Sequence, residues 1–310
     1  SALGNDRFLS IDQVISGSGN DTITVSSGNA NIISNSGNDT ITSYSGRDTI
    51  EAGTGDDSVN TSSGDDLIIA GAGNDTYNGS SGIDLVDYAS STSAIDVNLA
   101  TGAVANDGFG DLDSLVEVEA IAGSDFNDKI TGSDANNYIS GRGGNDTLDG
   151  GAGNDFLVYA EATTDHVINL TTGVVTNGTD TDTVTNFEHV SSGSGDDIIT
   201  GTTGYNALWG GEGDDTLDGG AGADDLVGGA GNDVFIMLDD GERDSIYGGA
   251  GFDILDYSNI TFDLSENLSD RGFYNSSLRD ISSDLTDGRS NDDSDDIIYG
   301  IEGIIGGSEI

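Results

Sequence analysis

Cysteine and proline are both missing from these 310 residues, basic side chains number only 8, and no apolar run reaches the length of a membrane span. Without cysteine there are no disulfides and no thiolate metal sites, so any staple must be ligated by oxygen. Eight Lys and Arg form no basic stripe, which excludes nucleic acid and anionic membrane surfaces as partners of a chain this acidic. A helical bilayer span needs about 18 consecutive apolar residues, and none is present. No basic-then-apolar signal segment opens the sequence. Only two His occur, His166 and His189, and neither lies in an HExxH motif, beside a GxSxG elbow or near a phosphate-cradling loop. Paired carboxylates abound, but a strict period assigns them to another task, so this segment is expected not to be an enzyme.

What the chain does have is 57 Asp and Glu, a formal charge of −49, and 49 Gly. Such a polyanion repels itself and orders poorly until something positive is bound. Carboxylates and glycine carbonyls suit a hard cation, and calcium is the natural choice.

A nine-residue period begins at Ser16 and gives the organisation. Residues 16–87 hold eight units in unbroken succession, 123–158 hold four, and 192–256 hold seven, with a two-residue slip at 237–238. Residues 1–15 read as the end of a re-entry segment, 88–122 and 159–191 as excursions, and 257–310 as an excursion leading into a further block. The eighth residue is apolar or aromatic in all 19 units, from Ile23, Ile32 and Ile41 to Phe235, Ile246 and Leu255, while its neighbours are mostly polar. That alternation is a short strand with one side chain turned inward. The fourth residue is Gly in 16 units, the exceptions being Phe126, Ala135 and Glu242, as a tight bend or a close backbone approach requires. The sixth is Asp in 16 units, with Ala30, Asn137 and Asn206 as exceptions. A carboxylate every nine residues beside a glycine bend is a row of ligands.

Units such as GRGGNDTLD, GGEGDDTLD and GGAGNDFLV resemble the GGxGxDxUx nonapeptides of the RTX (repeats-in-toxin, haemolysin-type calcium-binding) family, and the match covers well over half of the chain. The resemblance implies an all-β fold, a right-handed parallel β-roll or solenoid in which two units make one 18-residue coil, with calcium in the turns between coils. The ions would be held by turn carbonyls and by Asp21, Asp39, Asp48, Asp57, Asp66, Asp75, Asp84, Asp128, Asp146, Asp155, Asp197, Asp215, Asp224, Asp233, Asp244 and Asp253. Carboxylates 18 residues apart pair intact in eight cases: Asp21 with Asp39, Asp39 with Asp57, Asp48 with Asp66, Asp57 with Asp75, Asp66 with Asp84, Asp128 with Asp146, Asp197 with Asp215, and Asp215 with Asp233. Sites using Asp155, Asp224, Asp244 or Asp253 are expected to be weaker or irregular, because an Asn partner or the slip intervenes. One medium apolar side chain per nine residues does not offset the entropy of ordering them, so folding and calcium binding are expected to be one process.

The excursions resemble one another. Each opens on a tyrosine directly after a completed unit, Tyr88, Tyr159 and Tyr257, and the first two carry an alternating strand and a Thr-Gly turn, read as β-hairpin-like excursions that pack on the roll. Each block is re-entered through an acid between apolar residues, Asp12, Glu119, Glu188 and Glu302, of which the first three fall nine residues before the next leading Asp. These three read as the ligand position of a disguised unit with Val14, Ile121 and Val190 in its core. Trp209, the single Trp, occupies a ninth position and should point off the roll, packing under a neighbouring excursion or contacting a sugar or partner.

The family is exported unfolded through type I secretion from Gram-negative bacteria and folds on extracellular calcium, which implies a secreted, cell-surface location here. The function expected is a calcium-rigidified structural or adhesive segment of an S-layer, filament or adhesin protein. The alternative is the accessory roll of a secreted epimerase, lipase, protease or toxin. A minor one is an ice-binding roll, suggested by the partial outward row Thr22, Thr40, Thr49 and Thr76. Calcium ions are the partners expected, together with self-association through open solenoid ends or with other surface proteins or polysaccharide.

Overall fold

A computed structural model describes residues 5–8, 12–238, 240–259 and 297–305. Every regular element among them is a strand. Most strands are three residues long and fall on positions seven to nine of a unit, with the middle side chain buried and its neighbours less so, as in Leu67–Ile69, Thr147–Asp149 and Val234–Ile236. Glycine, polar and acidic residues in the first six positions form the bend, so the chain has no stretch long enough for a longer strand.

The described chain forms two compact units, Ser1–Asp155 with Asp182–Asn186, and Phe156–Thr181 with Phe187–Ile310. In the first, alternate nonapeptides feed two parallel sheets. Thr22–Val25, Thr40–Ser43, Ser58–Asn60 and Thr76–Asn78 pair successively in one; Gln13–Ile15, Asn31–Ile33, Thr49–Glu51, Leu67–Ile69 and Leu85–Asp87 pair in the other. The register is 18 residues, so Ile23 lies against Ile41 and Ile32 against Ile50. Identical positions therefore stack, and the eighth-position residues make a continuous apolar core between the sheets, in which Ile32, Ile50, Ile68, Tyr77 and Val86 are completely buried. Parallel pairing at a fixed offset, without helices, is a β-roll.

Stacking at strand spacing explains the fourth-position glycine. Gly37 has φ +126°, and a Cβ there would stand 2.5 Å from the carbonyl carbon of Gly19 in the preceding coil. A side chain at this bend is excluded twice, by backbone conformation and by the neighbouring coil.

The first excursion carries the hairpin read from the sequence, Asp96–Asn98 with Ala103–Asn106, and builds it into a sheet. Asp96–Asn98 runs parallel to Lys129–Thr131, the chain returns antiparallel through Ala103–Asn106, and Asp113–Val116 then lies antiparallel to that return strand and parallel to Thr76–Asn78. One antiparallel strand is thus set into a parallel ladder. The other sheet passes the same place uninterrupted, with Ala120–Ala122 parallel to both Leu85–Asp87 and Tyr138–Ser140. In the second unit, Val167–Asn169 and Val174–Thr176 form the hairpin read from the sequence, and its first strand runs parallel to Ile198–Thr202. Of the third excursion, residues 260–296 and 306–310 lie outside the described residues, while Ile297–Tyr299 and Gly303–Ile305 run parallel to Ser245–Ala250 and Ile254–Asp256.

The slip at residues 237–238 leaves the register intact. Asp225–Ala230 pairs with Ser245–Ala250, and Val234–Ile236 with Ile254–Asp256, at an offset of 20 in place of 18. Met237 is buried and Leu238 exposed, so the two extra residues are taken up in a bend.

Candidate metal centres at the turns

The roll turns every sixth-position carboxylate inward. Fifteen of the sixteen Asp expected as ligands are buried, and Asp244 is half-buried. Their orientation is fixed by the backbone: in each same-edge pair one carboxylate oxygen accepts the N–H of the residue one coil earlier. Asp39 takes the Asp21 N–H, Asp48 the Ala30 N–H, Asp57 the Asp39 N–H and Asp66 the Asp48 N–H, all at 2.7 Å. Asp75 and Asp84 continue the two rows at 2.8 and 3.0 Å. In the second unit Asp215, Asp224, Asp233, Asp244 and Asp253 do the same at 2.8 to 3.0 Å. The last two close across the slip, so the irregularity expected of Asp244 and Asp253 is absent from their geometry, and Asp155 likewise accepts the Asn137 N–H at 2.7 Å.

The second oxygen decides what the site can do. In Asp39, Asp48, Asp57, Asp66, Asp84, Asp215, Asp233 and Asp253, Oδ2 is buried and receives no hydrogen bond from the protein. Leaving one such atom unsatisfied costs about 1–3 kcal/mol, and more when it carries charge. Burial, followed by the charges of neighbouring carboxylates, pushes Asp57 and Asp215 up to about 7, and Asp84 and Asp233 up to about 6, from an ordinary 3.8. Rows of inward carboxylates with one oxygen anchored and one orphaned are what a hard cation satisfies. Among the described residues no three acidic or imidazole side chains converge on one point. An ion here would therefore draw one or two carboxylates and complete its shell with turn carbonyls, which fits calcium's taste for six to eight oxygens.

At three expected positions protein donors close the second oxygen. Asp75 Oδ2 accepts the Tyr77 hydroxyl at 2.7 Å. Asp128 Oδ2 accepts the Ser124 N–H at 2.6 Å, while its Oδ1 accepts the Ser124 hydroxyl and the Ile95 N–H. Asp197 accepts the Ser192 hydroxyl at Oδ2 and the His166 N–H at Oδ1. All three lie where a nonapeptide block meets an excursion.

Two acids escaped the sequence reading. Asp113 stands in the ligand row beyond Asp75, whose N–H it accepts at 2.9 Å, and its other oxygen takes the Tyr88 hydroxyl at 3.1 Å; burial raises it to about 7. Asp182 stands likewise beyond Asp146, whose N–H it accepts at 2.9 Å. Both begin the pattern Asp-x-apolar-x, in DSLV and DTVT, which was the available signal. Of the re-entry acids, Glu119 takes the Asp84 N–H at 3.2 Å and Glu302 the Asp253 N–H at 2.9 Å, each filling the place of the next coil's Asp. Val14, Ile121 and Val190 are buried in the core as expected of disguised units.

Where the row carries Asn, the amide supplies its own donor. Asn137 Nδ2 donates to the Glu119 carbonyl and Asn206 Nδ2 to the Glu188 carbonyl, while their Oδ1 atoms accept the Ser133 and Thr202 N–H groups at 2.6 and 2.7 Å. These positions are neutral and internally satisfied. Both histidines are buried: His166 packs on Tyr159 with Nδ1 2.7 Å from the Thr164 carbonyl, and His189 Nδ1 accepts the Ala207 N–H at 2.9 Å. Trp209 points outward, 36% exposed, and stacks on Phe156 at 5.7 Å.

The pattern of one known family, the RTX calcium-binding nonapeptide repeat, matches residues 10–41, 24–59, 51–86, 122–157, 191–226, 206–235 and 239–257, together more than half of the chain. A search of curated proteins returns no match. Periodic turns, buried carboxylate rows and this match agree, and the chain belongs to the RTX calcium-binding nonapeptide repeat family.

Proposed function

We propose that this chain is a structural or adhesive segment of a secreted bacterial surface protein, an S-layer, filament or adhesin component, that becomes rigid by folding on extracellular calcium. The observation that carries this reading is the set of eight sixth-position aspartates, Asp39, Asp48, Asp57, Asp66, Asp84, Asp215, Asp233 and Asp253, whose second carboxylate oxygen is buried without a protein donor. With a charge of −49 to accommodate, a metal-free fold of this kind opposes itself at every turn. The repeat family, characteristically exported by type I systems, supports a route in which the chain crosses the envelope unfolded at low calcium and folds outside. The expected ligands are the sixth-position aspartates, Asp21 through Asp253, acting with carbonyls of adjacent coils. In this arrangement the chain's own part is to hold its carboxylates by backbone N–H groups, keep water from the core, and present oxygens at coil spacing.

Circular dichroism of the decalcified protein at neutral pH tests the coupling. A disordered spectrum that converts cooperatively to β on adding calcium, and not on adding equivalent magnesium, is the expected result. An unchanged β spectrum in excess chelator sinks the proposal. Attachment of the calcium-loaded chain to bacterial cell walls or host glycans then separates a surface role from that of an enzyme's accessory roll.

A further inference from the structure

Residue one of each nonapeptide divides the eight orphaned carboxylates into two groups of four. Asp84, Asp215, Asp233 and Asp253 lie in units that begin with Gly79, Gly210, Gly228 and Gly248; Asp39, Asp48, Asp57 and Asp66 lie in units that begin with Ser34, Ser43, Ala52 and Thr61. In the glycine group the place of the missing side chain is a cradle lined by two oxygens. A Cβ at Gly228 would collide with Asp233 Oδ2 and stand 2.7 Å from the Gly248 carbonyl oxygen; one at Gly210 would collide with Asp215 Oδ2 and stand 2.8 Å from the Gly228 carbonyl oxygen. Gly79 faces Asp84 Oδ2 with the Glu117 carbonyl, and Gly248 faces Asp253 Oδ2 with the Gly300 carbonyl. Two oxygens facing one small space repel each other unless a positive charge lies between them.

In the other group that space is filled and the carbonyl is engaged. The Ser34 hydroxyl donates to the Ala52 carbonyl at 2.7 Å, Ser43 to the Thr61 carbonyl at 3.3 Å, and Thr61 to the Gly79 carbonyl at 3.1 Å. The Ala52 methyl occupies its own cradle, and the carbonyl facing it, that of Ala70, takes the Ser90 hydroxyl at 3.2 Å. Each of the four carbonyls thus accepts a hydroxyl donor.

We infer that the roll has two classes of calcium turn: glycine-first turns at Asp84, Asp215, Asp233 and Asp253 that bind calcium first, and side-chain-first turns at Asp39, Asp48, Asp57 and Asp66, braced from coil to coil by hydroxyls, that bind it later. The inference rests on the calcium reading above and adds to it which ions bind in which order. Calcium affinity follows the number and charge of available oxygens. Losing a carbonyl to a hydroxyl donor, and space to a Cβ, lowers it where the carboxylate count is equal. The order differs from that given by carboxylate pairing alone, which places most intact pairs in residues 16–87.

Hydrogen–deuterium exchange of the full chain, read by mass spectrometry across free calcium from about 10⁻⁷ to 10⁻³ M, reports each coil separately. Peptides spanning residues 206–256 should gain protection at a calcium concentration at least about tenfold below those spanning 34–69. Gly228→Ser should move the midpoint of the coil around Asp233 to higher calcium, and Ser34→Gly should move that around Asp39 to lower calcium. Should Gly228→Ser prevent folding, Ser34→Gly still decides the matter. One common midpoint for both sets, unmoved by either substitution, overturns the two-class inference and leaves calcium-dependent folding standing. Protection that ignores calcium altogether overturns both.

Discussion

Acid should partly substitute for calcium. Burial, reinforced by neighbouring carboxylates, raises Asp57, Asp113 and Asp215 to about 7 and Asp84, Asp224 and Asp233 to about 6 in the metal-free fold, against 3.8 ordinarily. Between about pH 4 and pH 7 the folded chain therefore holds protons that the unfolded chain has released. Stability falls with rising pH wherever the folded state binds more protons, so the contribution of these groups is complete below their unfolded values and lost as pH climbs through 6 and 7. Each group adds a slope of up to about 1.4 kcal/mol per pH unit while it titrates. The six together set a ceiling of about 8 kcal/mol per pH unit, which water at the turns and mutual coupling bring down. Decalcified protein followed by circular dichroism should accordingly gain β structure on acidification from about pH 7.5 to about pH 5, and Asp215→Asn should flatten the dependence. Calcium added in weak buffer at about pH 5, where the metal-free chain is folded and these carboxyls hold their protons, should release protons as the ion displaces them. A metal-free β signal that is flat or declines on acidification, with no proton release on calcium, would refute the reasoning.

Two further perturbations probe the turns. Gly231→Ala should destabilise the calcium-loaded roll by about 2–3 kcal/mol in thermal melts, because φ is +143° and its Cβ would strike the Gly213 carbonyl, whereas Gly19→Ala, with φ +118° and open space around it, should cost the strain alone; equal losses at the two sites would contradict the packing argument. Asn206→Asp removes the amide bond to the Glu188 carbonyl and adds a buried carboxyl, so the metal-free form, followed in denaturant from about pH 5 upward, should weaken by about 1–3 kcal/mol as that group ionises, and calcium should restore much of the loss; a variant indifferent to calcium would count against that residue's place in the ligand row.

The sequence by itself determined the repeat and nearly everything that repeats. A period of nine with an apolar eighth residue reads as short strands, and the resemblance to RTX nonapeptides implies their parallel stacking at double that period, so core, bends and carboxylate rows could be placed by counting, from Ile23 to Leu255 and from Asp21 to Asp253. Three disguised rungs were also legible, Asp12 with Val14, Glu119 with Ile121 and Glu188 with Val190, because their spacing keeps the count. Tertiary structure alone decided the rest, since it depends on which atoms meet once coils stack. Counting along the chain did not show that Asp113 and Asp182 rejoin the ligand row, that the first excursion enters its sheet through an antiparallel strand, or that a two-residue slip leaves the register closed. Nor did it show that hydroxyls from Tyr77, Ser124 and Ser192 satisfy three of the expected ligands while eight other sixth-position carboxylates keep a buried oxygen with no protein donor. A carboxylate's place in a row is a property of sequence spacing; whether its second oxygen finds a proton donor or a metal is a property of neighbours brought in by the fold.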